Sequence, residues 1–290
     1  MDWQRDLATW PLNAQSRRIH HPPHQWHLQE MGNGPLALLL HGAGASTHSW
    51  RDLMPLLAQS HRVIALDLPG QGFSRAGNRR RLGLPGMAGD IAALCQSEGW
   101  HPDLILGHSA GGAIALELAT RLRTPTDQPP EIVCVNAALG PFEGVAGWLF
   151  PVLAKVLALN PLTPTLFTLG TDKLTRARRL IESTGSRLTP EGLMLYARLI
   201  GDRAHVDGTL QMMAQWDVAP LLSRLGAIPN RCLLITGTGD LAVPPETSAR
   251  AAAQMPRART LSLDGLGHVA QEEDAARVLA AILDPSNWPD

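Results

Sequence analysis

Gly107-His108-Ser109-Ala110-Gly111 is a G-x-S-x-G pentapeptide between an apolar run, LILG, and a small-residue helical pattern, GAIALELA. A serine on a sharp strand-to-helix turn needs small neighbours, and the turn lifts its Oγ above the sheet edge. A serine hydroxyl is a weak nucleophile at neutral pH and needs a base. Of the eleven histidines, His268 is placed to serve. It follows Leu263-Asp264-Gly265-Leu266-Gly267, after the last apolar run and before the terminal helix, and can reach back toward Ser109. The base in turn needs a carboxylate to fix its tautomer and stabilise the imidazolium. Asp240, in Gly237-Thr238-Gly239-Asp240 after the run RCLLIT, is the expected partner. Asp264 is nearer His268 in sequence but falls in a strand–loop turn and is expected to face away. Another place for an acid is the end of the preceding strand, where Asn136 stands and cannot ionise. Attack on an acyl carbon also needs donors for the oxyanion. His41-Gly42-Ala43-Gly44 follows the first long apolar run, and the N–H groups of Ala43 and Ala110 are the expected pair, with His41 bracing the loop.

These residues need a parallel sheet to carry them. Leu36–His41, Arg62–Leu68, Asp103–His108, Glu131–Asn136, Arg231–Thr236 and Arg259–Leu263 are apolar runs of strand length, as in strands covered on both faces. His27–Met31 reads as an early antiparallel strand. Helical patterns fall between the runs, at Ser49–Gln59, Gly86–Glu98, Ala110–Leu122 and Gln271–Leu283. The fold class is therefore α/β, a mainly parallel sheet flanked by helices. Between about Gly140 and Trp216 the alternation stops and the pattern is helical throughout. This predicts a core of residues 1–140 and 217–290 with a helical cap, 141–216, inserted over the carboxyl ends of the strands, where open α/β sheets place ligands.

Within that insertion, Trp148–Leu169 has Lys155 as its only charge. Pro151, Pro161 and Pro164 divide it into short pieces, which points to buried or interfacial helices rather than a membrane span. A helix apolar nearly all round must bury its second face. The candidates are a hydrophobic ligand over Ser109 or peripheral contact with the inner membrane.

The remaining features argue against other chemistries. The net charge is −1, which gives no nucleic-acid signature. The run Arg79-Arg80-Arg81 reads as a solvated loop. His20, His21, His24 and His27 crowd the segment HHPPHQWH, but no cysteine or carboxylate joins them at metal-ligand spacing. Magnesium would want oxygen ligands. No metal site and no cofactor is expected. Cys95, Cys134 and Cys232 share no C-x-x-C spacing and read as buried thiols. The first residues lack a basic-then-apolar signal pattern, so the expected location is the cytoplasm.

HGAG, DLPGQGFS, GHSAGG, GTGDLAVPP and GLGHVAQEE occur in an order that, from about Trp26 to Leu283, resembles the α/β-hydrolase superfamily. The order Ser109, Asp240, His268 is the one that resemblance implies for a catalytic triad. Gly112, an extra glycine after the pentapeptide, is expected only to relax packing under the turn. LALLLHGAGASTHSWRDLMPLL, RLGLPGMAGDIAALC, ESTGSRLTPEGLMLYARLI and HVDGTLQMMAQWDVAPLL are similar to the magnesium-chelatase accessory proteins of bacteriochlorophyll biosynthesis. That likeness implies a role near magnesium insertion into protoporphyrin IX and a functional link to magnesium chelatase. The triad implies hydrolysis of an ester- or thioester-type acyl bond in an apolar substrate. The competing reading is a non-catalytic tetrapyrrole-binding or assembly factor built on a hydrolase scaffold.

Overall fold

The computed structural model describes residues 1–140, 163–168 and 172–290. The apolar runs form one eight-stranded sheet. Its strands are β1 (Ser16–His21), β2 (His24–Met31), β3 (Leu36–Leu40), β4 (Arg62–Leu66), β5 (Leu104–His108), β6 (Glu131–Val135), β7 (Cys232–Gly237) and β8 (Ala258–Leu263). They lie in the order β1-β2-β4-β3-β5-β6-β7-β8. β1 and β2 are antiparallel, β2 is antiparallel to β4, and every later pairing is parallel.

Alternate side chains of the central strands point to opposite faces, and each face has its own core. Leu38, Leu40, Ile64, Leu66, Ile105, Ile132 and Leu234 pack with helix α1 (Leu84–Glu98) and helix α2 (Ala110–Leu118). Ala37, Leu39, Val63, Leu106, Val133, Leu233 and Ile235 pack with Leu53, Met54 and Leu57 and with Val278 and Ile282. Cover on both faces explains why these strands are apolar throughout. The three cysteines are buried and free. Burial pushes the Cys95 and Cys134 thiols up to about 12.

Between β6 and β7 the described residues contain helices and no strand. They include Thr163–Thr168, α3 (Lys173–Ser183), α4 (Pro190–Ile200) and α5 (Arg203–Ala214). After β7 come α6 (Pro245–Ala252) and α7 (Ala275–Leu283). The reading of Trp148–Leu169 as buried or interfacial helices lies outside the described residues, apart from the helix Thr163–Thr168. Among the described residues no helix is long and apolar enough to cross a membrane.

Several boundaries depart from the sequence pattern. β1 (SRRIHH) is an edge strand with no apolar run to mark it, and β2 begins at His24 rather than His27. β8, at the other edge, is largely half-buried or exposed rather than covered on both sides. The stretch expected as one helix over Ser49–Gln59 is a 3₁₀ turn, Thr47–Trp50, followed by a short helix, Leu53–Leu57. The terminal helix is broken at Asp274, whose side chain accepts from the Arg277 N–H and starts α7 afresh.

Asp67, just past β4, ties the amino-terminal hairpin to the loops above the sheet. It is fully buried. One carboxylate oxygen accepts from His27 Nδ1 at 2.6 Å and from the Phe73 N–H at 2.7 Å, and the other accepts from the Thr47 N–H at 2.7 Å. Burial alone would raise this carboxyl, but His27 and the donors around it hold it below the usual carboxylate range. Such a group stabilises the fold fully above its unfolded value near about pH 4, and the contribution is lost as pH falls through the folded value. Asp67→Ala strands three buried donors and should cost about 3–5 kcal/mol at neutral pH, measured by urea denaturation. The deficit should shrink in strong acid, and a neutral-pH loss under about 1 kcal/mol would contradict this account.

Candidate active site

Ser109 sits between β5 and α2 with φ 53° and ψ −117°, a backbone conformation that side-chain-bearing residues rarely adopt. Hydrogen bonds hold it there. Its N–H donates to Val135 O, and its own carbonyl accepts from the N–H groups of Gly112 and Ala138, each at 3.0 Å. The glycines allow the backbone to close up. A Cβ on Gly111 would lie 2.0 Å from Leu40 O, and one on Gly112 would lie 2.5 Å from Ala137 Cβ. Gly112 therefore does more than relax the packing. It lets α2 press against the end of β6.

Two loops at the carboxyl edge meet Ser109. His268 Nε2 lies 3.1 Å from Ser109 Oγ, and His268 Nδ1 lies 2.8 Å from Asp240 Oδ2. Asp240 Oδ1 accepts from the N–H groups of Ala242 at 2.8 Å and Val243 at 2.9 Å. Both carboxylate oxygens are thus held by donors and the side chain is fully buried. With Nδ1 donating to Asp240, Nε2 presents its lone pair to the Ser109 hydroxyl. Asp264 lies exposed in the turn after β8 and makes no side-chain hydrogen bond to His268 among the described residues.

Two further residues fix the loop that carries His268, and sequence reasoning gave neither of them this task. Asn136, at the end of β6 with φ 47°, accepts from the Gly237 N–H at 2.8 Å. Its amide donates to Gly267 O at 2.9 Å and to His268 O at 2.8 Å. It thereby links β7 to the His268 loop from the position where a second acid could have stood. His108 Nε2 donates to the same His268 carbonyl at 2.8 Å. Burial, and then the neighbouring His268, push the His108 imidazole well below its ordinary value, so it remains a neutral brace. The signal for both lay in their place at strand ends rather than in their residue type.

The loop after β3 supplies the remaining groups. His41 Nδ1 donates to Gly42 O at 2.7 Å, and Nε2 accepts from the Leu68 N–H at 2.9 Å, which is a bracing role. The Gly44 N–H donates to Gln71 Oε1 at 2.7 Å, and the Ala45 N–H donates to Gly42 O at 3.2 Å. The N–H groups of Ala43 and Ala110 have no hydrogen-bond partner among the described residues, and both residues border a cavity with Ser109. That cavity is about 180 Å³ and is closed by Ala138, Met212, Met213, Trp216, Ala242 and Val243 beside His268. Among the described residues, its lining side chains apart from Ser109 and His268 are apolar.

Two of the four amino-terminal histidines are engaged elsewhere. His24 pairs with Asp90 at 2.9 Å and His27 with Asp67. Among the described residues no group of three or more His, Cys, Asp or Glu side chains could hold a metal ion. Arg79 and Arg81 of the arginine run pair with Asp207 and Asp90, tying that loop to α5 and α1.

Asn136→Asp keeps the acceptor for Gly237 but turns a carboxylate oxygen toward two carbonyl oxygens. Protonation restores one donor, so the new acid should titrate above its unfolded value. Its destabilisation should be present at about pH 8 and partly relieved by about pH 5, changing by up to about 1.4 kcal/mol per pH unit in between. Urea midpoints at both values test this, and a loss independent of pH would contradict it.

Residues 35–275 match the sequence family described as alpha/beta hydrolase fold. Over 286 residues the chain is 45% identical to the magnesium-chelatase 30 kDa subunit of Rhodobacter capsulatus, covering 98% of this chain and 99% of that protein. It is 28% identical over 266 residues to the 2-hydroxy-6-oxo-6-phenylhexa-2,4-dienoate hydrolase of Burkholderia cepacia, covering 86% of each. The crystal structure of an α/β-hydrolase fold protein from Burkholderia ambifaria superposes with a TM-score of 0.76 at 21% identity, over 93% of this chain and 97% of that one, a likeness of fold alone. The sheet order, the serine turn between β5 and α2, and a family match over most of the length agree: the chain belongs to the α/β-hydrolase fold family.

Proposed function

We propose that this protein is a serine hydrolase that cleaves an ester- or thioester-type acyl bond in an apolar substrate, and that it works as an accessory to magnesium insertion into protoporphyrin IX in bacteriochlorophyll biosynthesis. The observation that carries the chemical half is the unbroken hydrogen-bonded chain Asp240–His268–Ser109 at the wall of an apolar cavity. The pathway half rests on the relative named as a magnesium-chelatase subunit.

In this mechanism Ser109 Oγ attacks the acyl carbon while His268 Nε2 takes its proton. The imidazolium is stabilised by Asp240, whose carboxylate accepts from two backbone N–H groups and from the ring N–H. The carbonyl oxygen becomes an oxyanion and is met by the N–H groups of Ala43 and Ala110. His268 then passes its proton to the leaving oxygen or sulfur, giving an acyl-Ser109 ester and the free alcohol or thiol. Water, deprotonated by His268, attacks that ester, the bond to Ser109 Oγ breaks, and the imidazolium returns its proton to Oγ as the acid leaves. Met212, Met213 and Trp216 line the acyl side, and among the described residues no charged side chain but the catalytic pair borders it to receive a carboxylate or ammonium. A neutral apolar acyl group suits this wall, because an unpaired charge would be buried there at high cost.

The second reading is a non-catalytic assembly factor, favoured by the relative's description as a subunit of a chelatase. One set of variants separates the two. Ser109→Ala should abolish hydrolysis of p-nitrophenyl esters while leaving the thermal transition in place. Asp240→Asn should lower kcat/KM by roughly 10³–10⁴-fold, and Asp264→Asn by less than about tenfold. In a phototroph lacking this gene, the Ser109→Ala protein should fail to restore pigment. Full restoration by a folded Ser109→Ala protein would establish the assembly-factor reading, and equal losses for the two aspartates would remove Asp240 from the mechanism.

A further inference from the structure

The loop that holds Ala43 is gripped by the helical insertion as well as by the sheet. His205, in the first turn of α5, is buried with 2% of its surface exposed. Its Nε2 donates to Gly44 O at 3.1 Å, and its Nδ1 accepts from the Gly72 N–H at 3.0 Å. One donor and one acceptor are the full capacity of a neutral imidazole, so a single tautomer satisfies both loops. Burial pushes this imidazole down to about 3, so it does not become a double donor facing the Gly72 N–H.

The other side of Gly44 is held too. Its N–H donates to Gln71 Oε1, and the Gln71 amide in turn reaches Met212 Sδ at 3.1 Å, about two turns farther along α5 than His205. The two peptide units that follow Ala43 are therefore both fixed, one through Gln71 and one through His205. α5 approaches closely enough for this because Gly208 has no side chain: a Cβ there would lie 2.0 Å from Gly70 O.

We propose that His205 is a positioning residue for the oxyanion hole. By holding the Gly44 carbonyl from the inserted helix, it sets the direction of the Ala43 N–H toward the oxyanion formed on the acyl carbon at Ser109. This rests on the serine-hydrolase reading. It adds that α5, which lines the acyl cavity with Met212 and Met213, also sets the electrostatics of the reaction.

Two conservative variants separate the two imidazole bonds. His205→Gln can keep a donor near the position of Nε2 and so retain the bond to Gly44 O. His205→Asn can keep only an acceptor near the position of Nδ1, for the Gly72 N–H. The experiment measures kcat and KM for p-nitrophenyl butyrate, the rate of Ser109 labelling by a fluorophosphonate probe, and thermal unfolding, in wild type and both variants, with Ser109→Ala as the blank. A small misplacement of a catalytic group costs up to about 10²-fold, so His205→Asn should lose about 10–10² in kcat and in labelling rate. Its KM should stay within about threefold, because the acyl cavity keeps its lining, and His205→Gln should recover most of the loss. If wild type is active at Ser109 and both variants match it in kcat, or lose only in KM, His205 does not position the oxyanion hole although the hydrolase reading stands. If wild type neither turns over nor labels at Ser109, the hydrolase reading falls and this inference falls with it.

Discussion

The backbone of Ser109 sets the terms for the rest of this molecule. A side-chain-bearing residue at φ 53° and ψ −117° costs of order 1–3 kcal/mol and persists only where its surroundings hold it. Here β5 feeds the turn, α2 leaves it, and the end of β6 supplies the N–H of Ala138 and the carbonyl of Val135. The sheet order places β5 at the centre, between β3 and β6, so the turn emerges where the loops after both neighbours can reach it. The loop after β3 brings Ala43, the end of β6 brings Asn136, and the loops after β7 and β8 bring Asp240 and His268.

The helices between β6 and β7 engage those same loops. Ser186 Oγ accepts from the Val269 N–H at 2.9 Å, next to His268, and Leu241 N–H donates to Thr184 O at 3.1 Å, next to Asp240. Tyr196 of α4 donates to Glu272 at 2.6 Å, where Ser49 Oγ and Arg51 also donate, so a buried carboxylate four residues beyond His268 joins the insertion to the core. His205 does the equivalent for the Ala43 loop. The segment between β6 and β7 is therefore a structural partner of the loops that bear Ala43, Asp240 and His268. Substitutions at Thr184, Ser186, Tyr196 or His205 should be read first as changes to the geometry of these loops.

Much of this was legible in the sequence because its signals are local. The apolar runs of β3 to β7 announce a sheet covered on both faces, Ser109 and Asp240 stand in the turns after two of them, and His268 stands in the loop after the half-exposed edge strand β8. Asp264 could be set aside because a turn residue at an exposed edge faces solvent. What escaped was non-local. β1 is polar and exists because β2 offers it an edge to pair with. Asn136 and His108 could be seen in sequence, but their shared bond to the His268 carbonyl depends on a register across three strands. His205 sits in a helix whose spacing says nothing about the two loops it will meet. The break at Asp274 was legible in principle, since aspartate is a preferred helix cap, but the apolar periodicity on either side concealed it.

The most direct measurement is the mass of the protein during turnover. Wild type mixed with p-nitrophenyl butyrate, acid-quenched on the millisecond scale and digested, should carry one butyryl group on the peptide containing Ser109, and the group should disappear as the ester is exhausted. A His268→Ala protein should form that adduct only at a greatly reduced rate. Ester consumed at the wild-type rate with no adduct on Ser109, or with the acyl group on another residue, would contradict the assignment of Ser109 as the nucleophile.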